Sequence, residues 1–101
     1  MIEDRVLIVD DDPSSVDILA QLLRYHGFDV DAAVTGEEAL TMLEDAVYGL
    51  LVIDLALPGM DGWALLKAIR SDPSMESMRA VALTAYYDPV VWQQARSLGF
   101  E

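Results

Sequence analysis

The sequence predicts an α/β domain built on a parallel sheet, and three observations predict it. Short apolar runs alternate with amphipathic segments along the chain, in the order β-α-β-α-β-α-β-α. Two runs, Val6-Leu7-Ile8-Val9 and Leu50-Leu51-Val52-Ile53, are continuously apolar, as parallel strands covered on both faces are. Asp12-Pro13 and Asp88-Pro89 each supply an N-cap followed by proline at the first helical position. Strict alternation of this kind implies right-handed crossovers, with helices on both faces of the sheet.

The first strand is Val6–Val9, ending in acids. The helix opened by Asp12-Pro13 carries Val16, Leu19, Ala20 and Leu23 at helical spacing, and Gly27 is placed to end it in a left-handed cap. Phe28, Val30 and Ala32 alternate with Asp29 and Asp31, which suits a half-exposed strand at a sheet edge. Thr35-Gly36-Glu37-Glu38 has the capping-box pattern, backed by Ala39, Leu40 and Leu43. The third strand, Leu50–Ile53, again ends in an acid, Asp54. Asp61-Gly62 opens a helix bearing Leu65, Leu66 and Ile69, which Ser71-Asp72-Pro73 ends. Ala80–Leu83 is a fourth strand, leading to Thr84. The helix after Asp88-Pro89 carries Val91, Ala95 and Leu98 and stops at Gly99.

Composition excludes several classes of function. A chain of 101 residues fits one domain, and 53% hydrophobic residues support a packed core. The net charge of −12 repels phosphate backbones and anionic lipids, so neither direct nucleic-acid binding nor membrane binding is expected. Without cysteine there is neither a disulfide framework nor a thiolate metal site. No apolar stretch is long enough to span a membrane and the first residues are no signal peptide, so a cytoplasmic protein is expected.

Ligands of an open parallel sheet bind beyond the carboxyl ends of its strands. The first strand delivers Asp10, Asp11 and Asp12 there, the third Asp54, and the fourth Thr84 and Ala85. Converging carboxylates repel one another unless a proton or a cation intervenes. Hard oxygen donors with no histidine or cysteine beside them select Mg²⁺ or Mn²⁺ over zinc. Asp12, ahead of Pro13, is better read as an N-cap than as a ligand. After Asp54, the segment Leu55-Ala56-Leu57-Pro58-Gly59-Met60-Asp61-Gly62 is a short loop, a proline-glycine turn and a helix start.

Taken together, these residues resemble the receiver domain of two-component response regulators. Leu7-Ile8-Val9-Asp10-Asp11-Asp12-Pro13 looks like the family's acidic-pair motif. Asp54 through Gly62 matches its phosphoacceptor loop, including the spacing to Pro58, and Leu83-Thr84-Ala85 matches its switch position. The resemblance implies a flavodoxin-like doubly wound parallel sheet of order 2-1-3-4. It makes residues 1–101 one receiver domain and Asp54 the nucleophile, accepting a phosphoryl group from the phosphohistidine of a histidine kinase or phosphotransfer protein. Asp10, Asp11, Asp54 and the backbone carbonyl of Ala56 would hold Mg²⁺, with Mn²⁺ as the substitute. Thr84 would bond a phosphoryl oxygen, and the small Ala85 would leave the acceptor accessible. Tyr86 and Tyr87 would lie on the surface that partners read. Beyond self-phosphorylation from phosphohistidine or a small acyl phosphate, no enzyme activity is implied.

One departure from the family pattern stands out. Its members continue into a fifth strand carrying a lysine and a fifth helix, whereas this sequence reaches Gly99-Phe100-Glu101 where that strand is expected. Lys67, the single lysine, belongs to the third helix and is not expected at the site. A C-terminally incomplete domain is therefore expected, with a free edge at Ala80–Leu83 inviting homo-oligomers. Two other functions remain open: a binding module of the same fold that is not phosphorylated for want of the lysine, and an aspartate-nucleophile phosphohydrolase. The latter needs a second acid two residues after the nucleophile, where this chain has Ala56.

Overall fold

A computed structural model describes residues 4–54, 62–73 and 78–83. Four strands, β1 (Arg5–Val9), β2 (Asp29–Ala33), β3 (Leu50–Asp54) and β4 (Arg79–Leu83), form one sheet. Helices α1 (Pro13–Tyr25), α2 (Gly36–Asp45) and α3 (Gly62–Arg70) connect them. The strand order is β2-β1-β3-β4 and every pairing is parallel, as the expected doubly wound topology requires. The expected fourth helix and its Asp88-Pro89 cap lie outside the described residues, as does Asp61 ahead of α3.

Alternation along β1 divides the core in two. Val6 and Ile8 face one side and pack with Ala20 of α1, Val30 and Val52. Leu7 and Val9 face the other and pack with Ala39 and Leu43 of α2, Leu65, Leu66 and Ile69 of α3, and Leu51, Ile53 and Ala80. Val6, Leu7, Ile8 and Val9 are all fully buried, which is why this run carries no polar residue. Each such side chain contributes about 1.5–3 kcal/mol of burial.

The caps form as the sequence indicates. Asp12 accepts a hydrogen bond from the Ser14 amide at 3.0 Å and one from Ser15 Oγ at 3.1 Å. Thr35 Oγ1 accepts from the Glu38 amide at 3.0 Å. Gly27 adopts φ +92° directly after the His26 C-cap of α1, a conformation that a side chain would strain. The edge strand departs from simple alternation: Val30 is buried, but Ala32 on the same face is exposed and Ala33 on the other is buried. Ala33 sinks into the α2 side of the core, whereas α1 covers only the first part of β2.

Candidate functional site

Because β1 and β3 are parallel neighbours with Val9 opposite Ile53, their carboxyl ends lie side by side. Asp54 is the last residue of β3, and Asp10 follows β1 directly, its amide bonded to the Ala33 carbonyl at 3.1 Å. Asp11 comes next. The three acids therefore meet at one rim of the sheet, where one carboxylate oxygen of each lies within 4.8 Å of the other two.

The three differ in setting. Asp10 is buried, Asp54 half-buried and Asp11 exposed. Asp10 Oδ1 accepts the Asp12 amide at 3.0 Å, which orients its carboxylate and favours the charged form. Burial outweighs that bond and, together with the charges of Asp54, Asp11 and Asp12, raises the Asp10 pKa above its ordinary value. A buried anion facing two more anions is a site whose electrostatics improve when a cation arrives. Three carboxylates without nitrogen or sulfur donors fit a hard divalent ion such as Mg²⁺. Asp12 stays out of the cluster, its carboxylate spent on the N-cap as its position before Pro13 suggests. Lys67 is exposed on α3. Ala56, Thr84, Ala85, Tyr86 and Tyr87 lie outside the described residues.

The model of the response regulator receiver domain matches residues 6–101. The chain belongs to that family. Receiver domains generally bind Mg²⁺ at an acidic cluster, are generally non-enzymatic phosphoacceptors, and interact with histidine kinases or phosphotransfer proteins. A 14.6 kDa protein from the sodA1 3′ region of Leptolyngbya boryana is 42% identical over 95 residues, covering 94% of this chain and 72% of that protein. The DNA-binding response regulator MtrA of Mycolicibacterium smegmatis is 37% identical over 87 residues, which is 86% of this chain but 38% of MtrA. Among solved structures, the chemotaxis protein CheY4 of Vibrio cholerae has a TM-score of 0.88 at 28% identity, over 95% of this chain and 80% of that one. The N-terminal domain of a response regulator receiver protein from Methanoculleus marisnigri has a TM-score of 0.88 at 32% identity, over 96% and 79%. The flavodoxin-like fold of this receiver domain is thus shared with its solved relatives.

At the amino end of the sheet the structure reveals a second polar group that the sequence pattern did not flag. The buried Tyr48 donates its hydroxyl to Asp31 Oδ2 at 2.6 Å, and the Arg5 guanidinium lies 3.6 Å from the same oxygen and 5.0 Å above the Tyr48 ring. Burial and the Asp31 carboxylate push the Tyr48 phenol up to about 12. The signal was present as an aromatic directly before the Gly49 that leads into β3, but its partner is 17 residues away.

Proposed function

We propose that this receiver domain is a phosphoacceptor switch of a two-component phosphorelay, with Asp54 as the residue that takes the phosphoryl group. The observation that carries the reading is the convergence of Asp10, Asp11 and Asp54 at one rim, within reach of a shared divalent ion. Asp11, the exposed acid of the three, would bind such an ion directly together with Asp54 and the backbone carbonyl of Ala56. Asp10, held by the Asp12 amide, acts from behind as an oriented anion. A divalent ion held there would offset charge that builds on the transferring phosphoryl group.

Asp54 suits this role for a chemical reason. A carboxylate oxygen that attacks phosphorus forms an acyl phosphate, a labile mixed anhydride that lets the switch reset. The bond to the donor histidine nitrogen breaks as the bond to the Asp54 oxygen forms, so the protein's task is to position the carboxylate and balance charge. Thr84 then hydrogen-bonds a phosphoryl oxygen, Ala85 leaves room for it, and the surface around Tyr86 and Tyr87 reports the state to partners. The partner is a histidine kinase or a histidine phosphotransfer protein, and the setting is the cytoplasm. DNA binding, stated for MtrA in its name, is not proposed for this acidic segment, whose net charge is −12.

Labelling with a small acyl-phosphate donor in the presence of Mg²⁺ tests the assignment. The parent protein takes up a phosphoryl group that alkali releases, and Asp54→Asn is not labelled. Undiminished labelling of Asp54→Asn would falsify it, and a folded parent that takes no label under any divalent ion would favour the unphosphorylated binding module.

A further inference from the structure

We propose that Arg24 and Asp29 guard the outer edge of β2 against pairing with a second copy of this chain. Among the described residues β2 is the outermost strand on its side of the sheet, bonded to β1 alone. Such an edge offers a row of backbone donors and acceptors to any other strand. Asp29, Asp31 and Ala33 turn these groups inward; the Ala33 carbonyl, for example, accepts the Asp10 amide. Val30 and Ala32 therefore turn theirs outward.

The Val30 carbonyl is already occupied. Arg24, in the last turn of α1, donates from Nη2 to it at 3.1 Å. The guanidinium thus sits where an incoming strand would place its own amide, and brings a positive, bulky group with it. On the other face of the strand Asp29 and Asp31 are both exposed. Tyr48 and Arg5 bond Asp31 from the side of β1, so Asp29 is the acid whose charge the guard mainly relies on. Arg5, Arg24, Phe28, Asp29, Val30 and Asp31 together line one open cleft along this edge. In an antiparallel edge-to-edge pair with Val30 opposite Val30, Asp29 of each copy would lie opposite Asp31 of the other, which is unfavourable. The guard thus combines a blocked acceptor with an exposed acid at the edge.

The absence of cysteine allows a clean test. Ala32 is exposed on β2, so Ala32→Cys gives a single reporter thiol at the edge. Arg24→Met keeps the apolar stem and removes only the donor, Asp29→Asn removes a charge without touching the Tyr48–Asp31 bond, and Arg24→Lys restores a donor. Sedimentation velocity reports association in any register, and a short bifunctional thiol reagent reports whether β2 is the surface involved. The reporter protein with Arg24→Met and Asp29→Asn is expected to dimerise and to cross-link about tenfold faster than the reporter alone, the size of one recovered backbone hydrogen bond and one relieved acid pair. Arg24→Lys in the same background is expected to remove the share of the gain that comes from the freed Val30 carbonyl, leaving a rate between that of the double variant and that of the reporter alone. Equal rates with and without the two substitutions overturn the proposal, as does a dimer that leaves the reporter thiol unlinked. Circular dichroism of each variant confirms the fold, and if the double variant is unfolded, Arg24→Met alone carries the test with the same two readouts.

Discussion

The Asp12 amide donates to Asp10 Oδ1 at 3.0 Å, so the residue that caps α1 with its side chain orients a carboxylate of the acidic cluster with its backbone. Helix start and candidate metal centre are thereby built from one turn of chain. The two duties are separable, because one uses the Asp12 side chain and the other does not. Asp12→Ala removes the cap and is expected to lower stability by about 0.5–2 kcal/mol. It keeps the amide, and so the bond to Asp10. Denaturant unfolding with and without Mg²⁺ checks this: the midpoint falls in both conditions, while the extra stability conferred by Mg²⁺ stays close to that of the parent. Asp11→Asn is expected to do the reverse, leaving the metal-free midpoint near the parent's and abolishing the Mg²⁺ increment.

Asp10 makes stability depend on pH in a defined direction. Burial, with Asp54, Asp11 and Asp12 nearby, raises its folded pKa above the ordinary 3.8. The folded state then holds the Asp10 proton more tightly than the unfolded chain does. That contribution favours folding at low pH and is lost as pH rises through the folded pKa. At neutral pH and without metal, Asp10→Asn, whose amide oxygen still accepts the Asp12 amide, is expected to be more stable than the parent. The gap closes as pH is lowered towards the ordinary carboxylate value. Added Mg²⁺ reverses the order, because the ion stabilises the anionic parent in preference. Unfolding midpoints of both proteins from neutral pH down to the ordinary carboxylate range, with and without Mg²⁺, decide it; a parent more stable than Asp10→Asn in metal-free neutral buffer counts against this account.

Ile69 is fully buried on α3 in the larger of the two core clusters, where α3 and α2 cover one face of the sheet. Ile69→Val removes one methylene group and is expected to cost about 0.5–1.5 kcal/mol, a loss a small domain survives. Leu66→Ala at the neighbouring buried position is expected to cost about 2–5 kcal/mol. Whole domains are stable by about 5–15 kcal/mol, so the larger truncation should leave the chain close to its unfolding threshold. Equilibrium denaturation of the two variants gives the comparison directly.

The sheet was legible because its signals are local. Val6–Val9 and Leu50–Ile53 are apolar throughout, and in the structure they are the two central strands. Caps such as Asp12 and Thr35 announce themselves within three residues. The acidic rim was legible one step further on, since parallel strands that end in Asp10 and Asp54 must present them at the same end. What the pattern could not supply were pairings across long stretches of chain. Asp31 and Tyr48 look like an edge-strand acid and a loop aromatic until the topology brings them to 2.6 Å. Helix α1 shows a related limit. Val16, Leu19, Ala20 and Leu23, at helical spacing in the sequence, pack against the sheet, yet Ile18, Leu22 and Tyr25 are 71%, 56% and 85% exposed. Hydrophobic spacing marks an apolar stripe but does not say which of two stripes meets the sheet.

The Tyr48–Asp31 bond ties the segment before β3 to the edge strand β2, spanning β1 between them. Tyr48→Phe keeps the ring against the core and removes only the hydroxyl. Asp31 is about half exposed and can recover water, so the expected cost is about 0.5–1.5 kcal/mol, the range of an ordinary hydrogen bond rather than that of a buried charge left unpaired. The phenol also gives the bond a pH signature. Its pKa is raised from 10.0 to about 12 by burial first and by Asp31 second. The folded state therefore keeps the Tyr48 proton where the unfolded chain has begun to lose it. This contribution is fully present below pH 10 and disappears as pH rises through about 12. The parent is expected to lose stability across that window more steeply than Tyr48→Phe, so that the two midpoints converge at the alkaline end. Phenolate absorbance supplies an independent reading: the folded parent shows a late tyrosine step near pH 12, and that step is missing from Tyr48→Phe. A late step that survives in Tyr48→Phe would assign the raised pKa to a different tyrosine and remove the basis for the alkaline window.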